Sequence, residues 1–416
     1  MLNRMRKIKS IFALALCMIL VLNLAACGDV SGDNVNETAY VGKPVELTLW
    51  YTDSRMTTYL EYVAEKYHES NNSITVKNVL VSKEKYLQNI YNSCVKDGNG
   101  PDLFIASSDD LEEICYMGLA WDNEDTVTYN ADNYGSAAVN AASYKGKMYG
   151  YPLTYETAVM VYNRDYAIPV ASFGDLEQYV KNYAPDENSP AVEFIVQWDV
   201  TDVFLNYPFL GNYISIGGAD GDSGSVDLSS EDFERSLQRY IDIKEDLGID
   251  KSEAKYEMCI EQFSGTKLLY TIINSRDLKK IDESGVNYGV VPVPDYDKVY
   301  SSKAMSQTSL AIVSPYGNNK KQAINYAKAI TYDYAGEIVA RGAGCPARGN
   351  AEGLAEQYVS AHGGYKDTIV KSQLMKTGDT YLKLEVVLHK IWDGGDLVAA
   401  IKEFSNYMTV QWGMSQ

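Results

Sequence analysis

Histidine is scarce in the 416 residues: His68, His362 and His389 are the only three. No two stand at metal-ligand spacing, so zinc chemistry and histidine general-base catalysis have little support. Cysteine is sparse as well. Cys17 and Cys27 lie near the start, and Cys94, Cys115, Cys259 and Cys345 contain no Cys-x-x-Cys pair. Four widely spaced cysteines do not make a disulfide scaffold. A Cys94–Cys115 bridge is conceivable, but buried free thiols are the expected state. Phenylalanine numbers 9 against 34 tyrosines. Tyrosine joins an apolar ring face to a polar tip, which suits wet, partly buried surfaces and the walls of a polar-ligand cleft. Positive charge is in deficit, with 37 Lys and Arg against 56 Asp and Glu and a net charge of -19. Such a surface repels nucleic acid and anionic lipid alike, so neither is an expected partner. Most of this acidity reads as a solubility coat, although a cationic ligand is compatible with it. Long apolar runs are missing after the first 26 residues.

What stands at the start is an export signal. Arg4, Arg6, Lys7 and Lys9 form a basic head, Ile11 to Leu24 an apolar core, and Leu24-Ala25-Ala26-Cys27-Gly28 the cut. The core is shorter than the roughly 20 residues needed to cross a bilayer. A cysteine at the cut marks a lipoprotein signal over 1–26, with Cys27 acylated as the new N-terminus. Residues 27–43 are polar, small and aperiodic, and read as a lipid-anchored flexible linker. The expected location is the outer face of the cell membrane. Contact with the membrane is expected through the lipid only.

The roughly 370 residues that follow exceed what one hydrophobic core usually supports, so two domains are expected. Val45 to Trp50 alternates as a first strand, and Ser54 opens a helix that turns Tyr59, Leu60, Val63 and Tyr67 inward. Ile74 to Val81 is a second strand. Ser82 opens another helix, and Asp102 to Ala106 is a buried third strand followed by a Ser108 cap. Strands alternating with helices describe an α/β fold with mostly parallel sheets. Ligands in such sheets bind beyond the C-terminal strand edges. That rule selects Tyr51, Thr52 and Asp53 after the first strand, and Ser107, Ser108 and Asp109 after the third. A second α/β run follows residue 155. It holds a helix face of Leu176, Tyr179, Val180 and Tyr183, a Val192 to Val196 strand, and a Ser229-Ser230-Glu231-Asp232 capping box. Tyr288 to Pro294 is too proline-rich to lie wholly inside a sheet. A last strand, Ser309 to Val313, precedes a helix marked by Ala323 and Ala327.

Five segments carry a resemblance. They are Leu47-Thr48-Leu49-Trp50-Tyr51; Gly100-Pro101-Asp102-Leu103-Phe104; Tyr144 to Pro152 with Glu156-Thr157 and Tyr162-Asn163-Arg164-Asp165; Phe263-Ser264-Gly265-Thr266-Lys267; and Ser309 to Ile312 with Cys345-Pro346-Ala347-Arg348. In order and spacing, over residues 45 to about 405, the chain resembles the family-1 extracellular solute-binding proteins. These are receptor subunits of ABC sugar importers, with maltose-binding protein a distant relative. The resemblance implies a two-lobed type II periplasmic-binding-protein fold, each lobe a mostly parallel sheet flanked by helices. Three crossings make the hinge, near 153–155, 290–294 and 336–344. The expected lobes are 44–153 plus 293–338, and 154–292 plus 339–416. Tyr162 and Asn163 are expected to hold a strand–helix corner.

The family pattern also carries Ser107 and Asp109 onto a sugar-contacting loop, and Tyr155 and Glu156 onto the hinge-side wall of the cleft. Two positions depart from it. Ala106 and Asp110 stand where maltose-type relatives place tryptophan and arginine, which argues against maltose itself. Trp198, after a strand, is a candidate to stack on a sugar face, with Asp202 and Asn206 as polar neighbours. Asn274 and Arg276 occupy the region of the family's aromatic platform. Arg348 is placed to meet ligand or the opposite lobe.

The resemblance implies a monomeric receptor without catalysis or cofactor, capturing a carbohydrate, an oligosaccharide, by hinge closure and passing it to ABC permease subunits. Carboxylates suit sugar hydroxyls through charge-assisted hydrogen bonds. The same acids would neutralise a polyamine. The residues leave two other functions open, a surface-anchored glycoside hydrolase using a carboxylate pair and a surface adhesin.

Overall fold

The computed structural model describes residues 44–185, 192–214, 216 and 231–412. The leader, Cys27, the linker to residue 43, and Ser229 and Ser230 of the capping box lie outside the described residues. No helix among the described residues is long and apolar enough to cross a membrane.

β1 (Val45–Tyr51) buries Leu47, Leu49 and Tyr51 at alternate positions, the period-two pattern of a strand. β2 (Ile74–Leu80) and β3 (Leu103–Ser107) flank it in parallel. Helix Thr57–Ser70 covers them with Tyr59, Leu60, Val63 and Tyr67. Two caps differ from expectation by one residue. Asp53, not Ser54, accepts the Arg55 N–H at 3.0 Å and opens the helix through a short 3-10 turn. Ser107, not Ser108, accepts from Asp109 N–H at 3.3 Å. In each case the residue still in extended conformation directs its oxygen at the free amides.

β4 (Ser143–Tyr144) and β5 (Lys147–Met148) form a hairpin. Its turn has φ of 48° at Lys145 and 75° at Gly146, the two positive values a tight hairpin demands. β6 (Gly150–Asn163) then runs for 14 residues, and Glu156 is its only residue not fully buried. β7 (Phe194–Val196), β8 (Leu268–Asn274), β9 (Tyr288–Pro292), β10 (Met305–Val313), β11 (Cys345–Pro346) and β12 (Ile369–Val370) complete the strands. The sheet order is β2-β1-β3-β10-β6-β8-β7.

Parallel pairing holds at the two ends, β2-β1-β3 and β8-β7, and antiparallel pairing holds in the middle. The middle differs because β10 returns from far along the chain and inserts between β3 and β6. β6 changes partners part-way. Its residues 150–157 pair with β10, and Ala158 onward pairs with β8 and β9. One strand therefore belongs to both halves of the sheet. β9 pairs with β6 alone, so Pro292 costs no ladder bond on its free side. Within β9, Gly289 faces the Tyr162 ring, and a Cβ there would sit 2.3 Å from it. Asn163 closes the corner by accepting from Asp165 N–H at 3.0 Å.

One hydrophobic cluster runs from Leu49 through Tyr155 and Val159 to Tyr288. A second gathers Phe173, Trp198, Phe209, Tyr240 and Trp392 around β7 and β8. Cys94, Cys115, Cys259 and Cys345 are all free thiols, the first and the last two buried.

Candidate functional site

Beyond the C-terminal ends of β1 and β3 lies a cleft of about 610 Å³. Thr52 and Asp53 follow β1, Ser107 ends β3, and Asp109 stands on the loop after it. Glu156 enters from β6, Gln307 and Ser309 from β10, Arg276 from the turn after β8, and Lys371 from the residue after β12. A larger concavity of about 870 Å³ is lined only by the stretch from Asp165 to Ala184. The first is the candidate site, because distant segments converge there.

Charge dominates the lining. Asp53, Asp109, Asp110, Glu113 and Glu156 face Arg55, Lys83, Lys85, Arg276 and Lys371. Five acids meet five bases in a chain with a large acidic excess. The lining is thus balanced in charge, whereas the molecule as a whole is strongly acidic.

The pairing is ordered. Arg55 donates from Nε and Nη2 to Asp53, at 2.6 Å for Nη2, and its Nη2 lies 3.6 Å from Glu156 Oε1. Glu156 Oε2 accepts from Asn274 Nδ2 at 3.1 Å and from Arg276 Nη1 at 3.4 Å. Arg276 Nε in turn reaches Asp277 at 3.4 Å. Burial pushes the Asp53 carboxyl up, but hydrogen bonds from the Arg55 side chain and backbone outweigh it and hold the group below its usual range. Across the cleft, Asp109 Oδ2 accepts from Lys371 Nζ at 2.6 Å and from Gln307 Nε2 at 2.9 Å. Burial raises the Asp109 carboxyl, and Lys371 offsets only part of this. A second cavity of about 490 Å³ shares Asp109, Asp110, Glu113 and Lys371 and continues toward Leu374, Tyr381 and Leu382.

Asp110 is pushed up to about 6 by burial, with Asp109 and Glu113 adding like charge. The folded chain therefore holds this proton more tightly than the unfolded chain does. The ionised form carries a penalty that is absent below about pH 4, grows as pH rises, and is complete above about 6. Asp110→Asn is expected to raise stability at pH 7 by about 1–2 kcal/mol, discounted for partial exposure. Urea unfolding at pH 7 and pH 4 checks this. The gain should vanish at the lower pH.

Residues 62–341 match the family model described as bacterial extracellular solute-binding protein. The chain belongs to this family. Among curated relatives, the maltodextrin-binding protein of Bacillus subtilis strain 168 is 25% identical over 299 residues, covering 69% of this chain and 68% of that protein. The maltooligosaccharide ABC transporter solute-binding lipoprotein of Streptococcus pneumoniae TIGR4 is 27% identical over 302 residues, covering 69% and 68%. Among solved structures, the extracellular solute-binding protein of Staphylococcus aureus in complex with maltose superposes with a TM-score of 0.76 at 19% identity, over 89% of this chain and 98% of that one. A cyclo/maltodextrin-binding protein complexed with maltotetraose gives 0.73 at 19% identity, over 90% and 99%. The fold is the two-lobed type II periplasmic-binding-protein architecture.

This solute-binding protein brings Thr52, Asp53, Ser107, Asp109, Glu156 and Arg276 together at the cleft. The other expected site residues lie elsewhere. Tyr155 is buried and stacks on Tyr365, with ring centroids 3.9 Å apart, so it is core rather than cleft wall. Trp198 is fully buried, its Nε1 donating to Asn206 Oδ1 at 2.9 Å, so it offers no face to a ligand. Asp202 caps a short helix by accepting from Leu205 N–H at 2.8 Å. Asn274 is buried behind Glu156 and orients it. Arg348 lies over the Tyr332 ring at 3.8 Å and donates to the Tyr332 carbonyl, away from the cleft.

Sequence reasoning missed Arg55, Lys83, Lys85, Gln307 and Lys371. Arg55 stands two residues after a selected acid, which was a usable signal. Gln307 was hidden because β10 begins at Met305, not Ser309. Ala106 and Asp110 do line the cleft, where maltose-type relatives are expected to place tryptophan and arginine.

Proposed function

We propose that this solute-binding protein of an ABC importer captures a carbohydrate, an oligosaccharide, by closing two lobes around it and delivers it to the membrane permease. The observation carrying the proposal is the placement of Glu156. It is the only partly exposed residue on the strand that crosses between the two sheet halves, held by Arg55 on one side and Arg276 on the other. With lobes at 44–153 plus 293–338 and 154–292 plus 339–416, Arg55 and Arg276 sit on opposite lobes, as do Asp109 and Lys371. A ligand contacting both walls favours the closed state by its differential affinity. Thr52, Asp53, Ser107, Asp109, Glu156 and Arg276 are the proposed contacts. The receptor works as a monomer, without catalysis, tethered by lipid at Cys27. The ligands named for the relatives, maltodextrins and maltooligosaccharides, support a sugar over a polyamine.

Calorimetric titration of a panel of neutral and acidic oligosaccharides and polyamines into the soluble body, with small-angle scattering on the same samples, tests this. A sugar should bind and reduce the radius of gyration. Glu156→Ala should weaken that binding by roughly 30-fold, about 2 kcal/mol, since it removes a proposed ligand contact and the carboxylate that holds Arg55 and Arg276 in position. Binding of polyamines alone, or release of reducing sugar from polysaccharide, would overturn the assignment.

A further inference from the structure

The donors and acceptors of the cleft are unevenly spent. The carboxylates at its Glu156 end are occupied. Asp53 accepts from Arg55 backbone and side chain, and Glu156 accepts from Asn274 and Arg276. The two guanidinium groups beside them are occupied only in part. Arg55 uses Nε and Nη2 and leaves Nη1 without a partner among the described residues. Arg276 uses Nε and Nη1 and leaves Nη2 without one. Both side chains are 44% exposed. Lys83 and Lys85, exposed beyond the end of β2, make no ion pair among the described residues. The partly buried Asp110 and Glu113 lie toward the second cavity, which Arg55 and Arg276 do not line.

Aromatic faces are missing from the same surface. Tyr86 is the one aromatic side chain among the described residues lining the cleft. Its hydroxyl is committed to the Trp50 carbonyl at 2.9 Å and its ring is buried against Phe104. A neutral glucan ring therefore finds no stacking platform. A sugar hydroxyl can donate as well as accept, and the Asp53 and Glu156 carboxylates beside the two guanidinium groups are already paired with them. A carboxylate accepts only, and two guanidinium groups present it with charge-assisted donors.

We propose that the solute is an acidic oligosaccharide, bearing a uronate carboxylate held between Arg55 and Arg276 from opposite walls of the cleft. This deepens the carbohydrate reading and rests on it. Three probes separate the two: trigalacturonate, its fully methyl-esterified form, and maltotriose, each titrated into the soluble body at 20 and 200 mM salt. Trigalacturonate should bind at least tenfold more tightly than either neutral probe, and the preference should shrink at the higher salt. Arg276→Gln should bring the acidic and esterified probes to within about threefold of each other while its melting temperature stays near that of the parent. Equal or tighter binding of maltotriose or the ester overturns the uronate and leaves the sugar receptor standing. Binding by none of the three, with a polyamine binding instead, removes the sugar reading and the uronate with it. A salt-insensitive preference for trigalacturonate that survives Arg276→Gln overturns the guanidinium clamp.

Discussion

Trp198→Ala is expected to destabilise the protein by about 3–5 kcal/mol, the range for deleting a buried aromatic side chain. The indole is fully buried beside Phe173 and Phe209, with ring centroids at 6.1 and 6.4 Å. Removing it opens a cavity and leaves Asn206 Oδ1 without its donor. Asn206 cannot turn away to compensate. Its Nδ2 is held by the carbonyls of Asp199 at 2.8 Å and Asp202 at 2.7 Å. Trp198→Phe keeps much of the packing and should cost about 1–3 kcal/mol, chiefly for the unsatisfied oxygen. Urea midpoints of the two variants check the order. An unchanged midpoint with weakened sugar binding would return Trp198 to the ligand.

Asp109→Ala should cost about 2–3 kcal/mol, below the usual range for breaking a buried pair because Lys371 keeps partial contact with water. Its ammonium loses a partner at 2.6 Å, and Gln307 keeps only Ser107 as acceptor, at 2.7 Å. The raised Asp109 carboxyl shows that burial outweighs the attraction of Lys371. The pair as a whole therefore adds little stability relative to apolar residues, and the cost of the single change comes from the stranded cation. The double variant Asp109→Ala/Lys371→Met should recover most of the loss. Denaturation of both singles and the double yields the coupling, expected at about 1–3 kcal/mol. Additive losses would show the two groups to be independent.

Part of the site was visible in the sequence through strand geometry. β1 and β3 announce themselves by alternation and by a continuous apolar run, so their C-terminal ends, and with them Thr52, Asp53, Ser107 and Asp109, follow from sheet geometry. Glu156 was legible through the family pattern and stands out as a lone carboxylate among buried neighbours. The rest depended on contacts that no local pattern encodes. Lys371 meets Asp109 across 262 residues. Whether Trp198 faces a ligand or a core was decided by Phe173, Phe209 and Asn206, none of them adjacent in sequence. Tyr155 and Glu156 are neighbours on one strand, and pleating sends consecutive side chains to opposite faces. Only one of the two can reach the cleft. The antiparallel centre of the sheet was likewise hidden, because nothing in Met305–Val313 specifies that it inserts beside a strand formed so much earlier.

That insertion also shapes how the polypeptide comes into being. Thr308 and Ser108 are hydrogen-bonded across 200 residues, and β3 has no second neighbour until they meet. At about 5–20 residues per second, a ribosome needs on the order of ten to forty seconds to deliver the missing piece. Such remote pairing also closes slowly once available. A nascent chain kept pliable for that long can be threaded through a translocation channel, as suits a family whose members act outside the cell.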